Sequence, residues 1–248
     1  MADFSIEQIP GIMDKNKWPV AAALMRRWFA GVENSVPEKG IPCLDIVKMD
    51  WVLGFERAKA AYDRIFQEGL WKSPKARKEM YLVLGRRGFL RTHSSTAYGR
   101  REIRLPQTHS DHIQYVRAGG GKWEMATAKI DQLTAALARF NFHVVALGGT
   151  EVVDGSRPLK FAFTIVELAV YVRDSYDFND EPGEDQDLGR WHPDDGSVSR
   201  WVGGTHVHNS DFRAWRAANK KGGDYLIFSD LKYEALPKPE TIILEPGT

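Results

Sequence analysis

The 248-residue chain has a single cysteine, Cys43, so no disulfide can close within it. That economy suits a protein folded in a reducing compartment. No apolar run reaches the roughly eighteen residues at which a helix can cross a bilayer. Residues 1–17 lack the apolar core of a signal peptide, so the expectation is synthesis in the cytoplasm, with any work outside it depending on a dedicated secretion route. Surplus charge is missing too. Against 34 Lys and Arg stand 33 Asp and Glu, a formal net charge of +1, which excludes the strongly basic balance of a nucleic-acid binder. Internal repeats, low-complexity tracts and a Gly-Xaa-Ser-Xaa-Gly nucleophile elbow are also absent, and Gly119-Gly120-Gly121 lacks the Lys-Ser/Thr that completes a phosphate loop.

What is present is the composition of a folded protein, 43% hydrophobic and long enough to bury a large core. The pattern is α+β. A mainly helical region over 1–104 is expected to pack on a C-terminal open, curved sheet or half-barrel over 123–248, with the boundary within 105–122. Pro19 starts a helix with Ala21, Leu24, Met25 and Trp28 as its apolar stripe, and Gly31 ends it. Asp50 caps a second, in which Trp51, Phe55, Ala58, Tyr62 and Ile65 recur at helical spacing. Ser73-Pro74 opens a third, stopped by Gly88. A short helix over 129–139, strands at 142–147 and 151–153, and turns at 119–121 and 154–157 follow. Over 159–165 the odd positions are apolar, whereas from Val166 onward the even ones are. That phase change predicts a β-bulge or bend near Val166.

The strand beginning there puts Val166, Leu168, Val170 and Val172 on one face and runs into Asp174-Ser175-Tyr176-Asp177-Phe178-Asn179. Asp174 and Tyr176 continue the buried phase. A carboxylate aimed inward needs a hydrogen-bond donor, a cation or a proton, because an unpaired buried charge is strongly unfavourable. Asp177 points the other way unless a turn at Asn179-Asp180 returns it beside Asp174. The plainer reading of the same residues is a strand end closed by an Asx turn, with Tyr176 and Phe178 as packing residues.

The hexapeptide Asp-Xaa-Tyr-Asp-Phe-Asn resembles the catalytic motif of the colicin M-like bacteriocins, which cleave lipid II, the undecaprenyl-pyrophosphate-linked precursor of peptidoglycan. The surroundings are similar as well: a strand enters the motif, and a helix at 211–221 and a strand pair at 225–228 and 232–236 close the chain. The resemblance implies a hydrolase acting on a prenyl pyrophosphate, with Asp174 and Asp177 as base or metal-holding carboxylates for Mg²⁺ or Ca²⁺ and Tyr176 orienting the pyrophosphate. The family's His-Arg pair, which follows its motif within a short loop, has no counterpart here. Arg190 is the substitute for its cationic clamp, His206 or His208 for its general acid, and Asn179, Trp191 and Arg213 are expected to bind substrate. The N-terminal half, through Trp18 to Met25, Trp28-Phe29 and Val47 to Ala58, resembles an uncharacterised bacterial family often encoded near type VI secretion components. Together these imply an antibacterial effector made in the bacterial cytoplasm and acting in a target cell's periplasm. Its partners would be lipid II, a secretion machine, a cognate immunity protein and the membrane surface. The rival reading is a non-enzymatic binding module, a secretion adaptor or immunity-like protein that uses the 180–208 loop as its recognition surface.

Three other features stand out. The stretch 72–104 is rich in Lys and Arg, which reads first as a solvated face and second as a patch for anionic lipid or an acidic partner. His109 and His112, three apart, can share a helix face and bind a transition metal with Asp111, but nothing nearby completes the set. The 180–208 loop is acidic, without the spacing of an EF-hand, and carries Trp191 and Trp201 as signs of packing. At its end His206 and His208 precede Asn209 and Ser210, the expected N-cap of a helix whose N-terminus would favour a phosphate.

Overall fold

Proline and glycine punctuate the N-terminal helices where the spacing places them. The structure, a computed structural model, describes residues 4–91, 95–119, 130–153, 156 and 158–246. The turn at 154–157 and most of that at 119–121 lie outside the described residues. The fold is α+β, with a helical N-terminal region and open antiparallel sheets in the C-terminal part. It forms two compact units, Met1–Val47 with Gly119–Phe140 and Asp174–Ile227, and Lys48–Ala118 with Asn141–Arg173 and Phe228–Thr248. Each unit therefore draws on both the 1–104 and the 123–248 region.

In the first unit, α1 (Ile9–Lys15) and α6 (Gln132–Leu137) pack on α2 (Pro19–Ala30). Pro19 opens α2, Ala21, Leu24, Met25 and Trp28 are buried along it, and Gly31 closes it with its N–H donated to Trp28 O at 3.0 Å. The short α1, which periodicity does not announce, buries Ile9, Ile12 and Met13. The stretch expected to be an open loop carries a small antiparallel sheet, β5 (Asp187–Trp191), β6 (Val198–Ser199) and β7 (Thr205–His208), in the order β6-β5-β7. Its turns are made by the acids: Asp187 Oδ1 accepts Gly189 N–H at 2.6 Å, and Asp195 Oδ1 accepts Ser197 N–H at 2.7 Å. Of its two tryptophans only Trp191 packs, at 3% exposure, whereas Trp201 is 71% exposed. The helix α7 (Asn209–Asn219) follows directly.

The second unit carries the helices α3 (Met49–Leu53), α4 (Glu56–Gln67) and α5 (Pro74–Arg86), and the long strands β3 (Phe140–Val153) and β4 (Lys160–Tyr176) for most of their length. The helix expected to start at Asp50 is two helices, broken at Gly54-Phe55. Asp50 sits inside the first of them, and the cap comes from Asp230, whose Oδ1 accepts Met49 N–H at 2.6 Å. Ser73 caps α5 as expected, its Oγ accepting Ala76 N–H at 3.2 Å. With β1 (Thr96–Tyr98), β2 (Gln114–Ala118), β8 (Tyr225–Phe228) and β9 (Lys232–Leu244), the long strands make a six-stranded sheet ordered β1-β3-β4-β8. In it β2 also pairs with β3 and β9 with β4. The closing strands thus both pair with β4, and β9 runs further than the expected 232–236.

The phase change in β4 is a bulge at Val166. Leu147 pairs with Glu167 and Gly148 with Ile165, so one residue on β4 is extra, and the β4–β9 register shifts at the same place. Gly148 is required there, because a Cβ would sit 2.0 Å from Thr164 O. Beyond the bulge the simple alternation fails: Leu168, Ala169, Val170, Tyr171 and Val172 are all fully buried, because both faces of this central strand are covered.

Several cations of the 72–104 stretch are paired within the second unit. Lys72 lies 2.6 Å from Glu240, Arg87 2.6 Å from Asp111, and Arg100 binds Glu167.

Candidate functional site

The motif lies in the first unit, where β4 ends. Asp174, Ser175 and Tyr176 are the last residues of the strand. Tyr176 is 8% exposed; its ring stacks on Tyr225 at 5.4 Å, and its hydroxyl donates to Met25 Sδ at 3.5 Å. Burial pushes this phenol's pKa well above the ordinary tyrosine value. Phe178 lies flat on Phe212, 3.8 Å between centroids, and edge-on to Trp28. The two aromatic residues of the motif are thus part of a packed cluster, and the turn that follows is held from several sides.

Asp177 Oδ1 accepts Asn179 N–H at 3.1 Å, the Asx turn of the plainer reading. Asn179 in turn donates its amide to Asp224 Oδ2 at 2.9 Å and to Ser35 O at 3.2 Å. Asp224 is 1% exposed and also accepts from Trp28 Nε1 at 2.8 Å and from the buried Arg216. Burial lifts its carboxyl above the ordinary value, Trp28, Arg216 and Asn179 pull it back, and the nearby charge of Asp177 pushes it up again. This network of Trp28, Asn179, Arg216 and Asp224 is invisible in the sequence. The one local signal is that Asp224 stands between Gly222-Gly223 and the strand β8.

Around the motif is a cavity of ≈ 710 Å³, bounded entirely by residues of the first unit. Asp174, Tyr176, Asp177 and Asn179 line it, together with Asp180, Glu184, Asp185 and Asp187. Its apolar wall includes Ile9, Met13, Met25, Ile130, Trp191 and Phe212, and its cations are Arg139 and Arg200. Arg200 Nε is buried with no hydrogen-bond partner among the described residues.

Three of the acids are already engaged. Asp180 binds Arg213 and accepts Asn209 Nδ2 at 2.7 Å. Asp185 accepts Ser210 N–H at 2.9 Å and Ser210 Oγ–H at 2.6 Å, so it occupies the α7 N-terminus expected to receive a phosphate. Ser210 first, and then Arg213 and His208, hold the Asp185 carboxyl below its ordinary value. Asp187 lies 3.0 Å from His206 Nε2. Asp174 and Asp177 are the motif's carboxylates on this lining, oxygen donors of the kind that Mg²⁺ or Ca²⁺ takes.

The remaining candidates fall beside the cavity. Arg190 and His206 face each other across β5 and β7, Asp187 faces His208, and the two histidine rings are 4.1 Å apart. Neither Arg190 nor either histidine lines the cavity, and Arg190 donates to Gly203 O at 3.4 Å. Arg213 holds the turn after the motif, through Phe178 O at 2.8 Å and Asp180. The second unit holds a different cluster. His109 and His112 meet His143, while Asp111, expected beside them as a ligand, is fully buried against Arg87 and Tyr98.

Comparison with known proteins supplies a family. The chain belongs to DUF6402, a family of unknown function. The family model matches residues 4–202 and 203–244, nearly the whole chain, so both units lie within the DUF6402 match. No curated protein and no solved structure matches it.

Proposed function

We propose that this DUF6402 chain hydrolyses a prenyl pyrophosphate linkage, with lipid II as its substrate, and serves as an antibacterial effector in the periplasm of a target cell. The observation that carries this reading is the cavity at the end of β4, which sets Asp174 and Asp177 beside an apolar wall and a partly unsatisfied arginine. An anionic pyrophosphate joined to a long lipid needs such a mixed site: cationic and hydrogen-bonding groups at the phosphates, apolar surface at the first isoprene units.

In this reading Asp174 and Asp177 act on the water that attacks phosphorus. The P–O bond to the prenyl alcohol breaks, a proton returns to the leaving oxygen, and undecaprenol separates from the pyrophosphoryl sugar-peptide. A bound Mg²⁺ supplies charge neutralisation at the phosphates. Arg200, which lines the cavity, takes the clamp role that the sequence assigned to Arg190. His206 stands outside the cavity lining, 3.0 Å from Asp187, which is part of that lining. Met13, Ile130 and Trp191 give the lipid tail an apolar surface.

Asp177→Asn is the informative variant, because an asparagine keeps the acceptor for the Asn179 N–H and removes the charge. Purified chain is incubated with lipid II and Mg²⁺, and undecaprenol release is followed. Wild type is expected to release it, and Asp174→Asn and Asp177→Asn to lose at least about a hundredfold in rate, the scale of a lost acid–base group, with unchanged circular dichroism. Absence of release from folded wild type, with or without Mg²⁺ or Ca²⁺, overturns the reading in favour of a non-enzymatic binding module. A stoichiometric protein partner should then be recovered on the immobilised chain.

A further inference from the structure

His109 and His112 acquire a third member from the sheet. His109 lies in the 3₁₀ turn Gln107–Asp111, His112 follows it directly, and His143 is the fourth residue of β3. Each ring offers one nitrogen, and these nitrogens all lie within 4.8 Å of one another. His109 and His112 stack at 5.0 Å, and His143 stands across both, at 4.9 and 4.7 Å between centroids. His143 is 5% exposed, and neither of its ring nitrogens has a hydrogen-bond partner among the described residues. A buried imidazole left unsatisfied on both sides is unfavourable and calls for a ligand.

The hydrogen bonds around the trio orient the other two rings. His112 Nδ1 lies 2.6 Å from His109 O, an atom that only accepts, so Nδ1 carries the proton and the lone pair is on Nε2. His109 Nδ1 lies 3.0 Å from the Tyr171 hydroxyl, which can accept from it or donate to it; in the tautomer protonated at Nδ1 the lone pair is on Nε2. Metal-ligating histidines are oriented in this way, with the second ring nitrogen held by a carbonyl or another polar group. Burial, assisted by Arg173, lowers His109 to about 4; burial, then the neighbouring histidines and Arg173, lowers His143 to about 2.

We infer that His109, His112 and His143 form a binding site for a transition-metal ion of the Zn²⁺ class, with a fourth position open to water or an anion. Nitrogen donors favour such an ion over Mg²⁺ or Ca²⁺. Tetrahedral Zn²⁺ with bonds of roughly 2.0–2.1 Å sets its nitrogens about 3.4 Å apart. The rings then close by up to ~1.4 Å from the 4.8 Å limit, a movement that side-chain rotation provides. Asp111 serves the site indirectly by anchoring the turn to Arg87 and Tyr98.

The test uses the untagged full chain, stripped with a chelator and re-equilibrated with Zn²⁺ or Co²⁺. Bound metal is measured by elemental analysis and the visible spectrum of the cobalt form, neither of which depends on lipid II cleavage. The expected result is one equivalent of Zn²⁺ per chain, a cobalt spectrum of four-coordinate type, and affinity at least tenfold weaker in His112→Ala and His143→Ala. His206→Ala should bind as wild type does, and excess Mg²⁺ should not compete. If His143→Ala fails to fold, the half-buried His112 decides. Less than stoichiometric metal, binding that survives the His112 substitution, or binding lost in His206→Ala overturns the site.

Discussion

Asp224 is the residue on which the surroundings of the motif depend most. It accepts from Trp28, Asn179 and Arg216 in a place with almost no solvent, and the guanidinium of Arg216 is itself buried. Removing one partner of a buried pair leaves the other charge uncompensated, which costs more than the pair contributes when intact. Asp224→Ala should therefore destabilise the protein by about 3–5 kcal/mol, read as a lower urea midpoint. Asp177→Asn should change stability by less than about 1 kcal/mol, since the turn keeps its acceptor. A large loss in Asp177→Asn would mean that the charge itself is structural. At this scale the sequence exposed the motif and left two roles open for its aromatic residues. Tyr176 and Phe178 stand beside two carboxylates, and the structure names the partners of their packing, Tyr225, Phe212 and Trp28.

Among the elements, β4 was the most legible, because its bulge is written as a change of phase. Leu147 pairs with Glu167 and Gly148 with Ile165, with Val166 standing out between them. Gly148→Ala would drive a Cβ to 2.0 Å from Thr164 O, and a destabilisation of about 1–3 kcal/mol or more is expected from such overpacking. Thermal or urea unfolding checks it, and a neutral substitution would show that the bulge shifts freely. The start of α7 makes a pH-dependent contribution. Ser210 holds the Asp185 carboxyl below its ordinary 3.8 in the folded chain, so the unfolded chain takes up the proton first as pH falls. The stabilisation is complete above the ordinary value and is lost as pH drops through the folded one. The difference in urea midpoint between wild type and Ser210→Ala should be largest near neutrality and should shrink as pH falls below the ordinary 3.8. The broken helix at Gly54-Phe55 was hidden for the opposite reason. Its residues keep helical spacing across the break, and the cap for Met49 comes from Asp230, a distant residue in sequence.

For the whole molecule, the arrangement of each compact unit from three separated stretches governs which residues meet. The histidine trio joins residues 109 and 112 to residue 143 in one unit; the cavity joins α1, α2 and the region after β4 in the other. A metal that binds only the folded chain stabilises it by mass action, so Zn²⁺ at a hundredfold excess over its dissociation constant should add about 2.7 kcal/mol. That appears as a higher urea midpoint in wild type and no change in His112→Ala. An equal rise in both would place the metal elsewhere.

The sequence by itself determined what depends on near neighbours. The α+β class, Pro19 and Ser73-Pro74 as helix starts, Gly31 as a helix stop, the bulge at Val166 and the Asx turn at Asp177 all follow from local sterics and periodicity. Tertiary structure alone decided the rest. It brought Asp224 and Arg216 to Trp28, engaged Asp180 and Asp185 with Arg213 and Ser210, turned the acidic 180–208 stretch into a small sheet and set His143 against His109 and His112. Those contacts join residues far apart in the chain, and no local pattern encodes a partner that only the packing of the core selects.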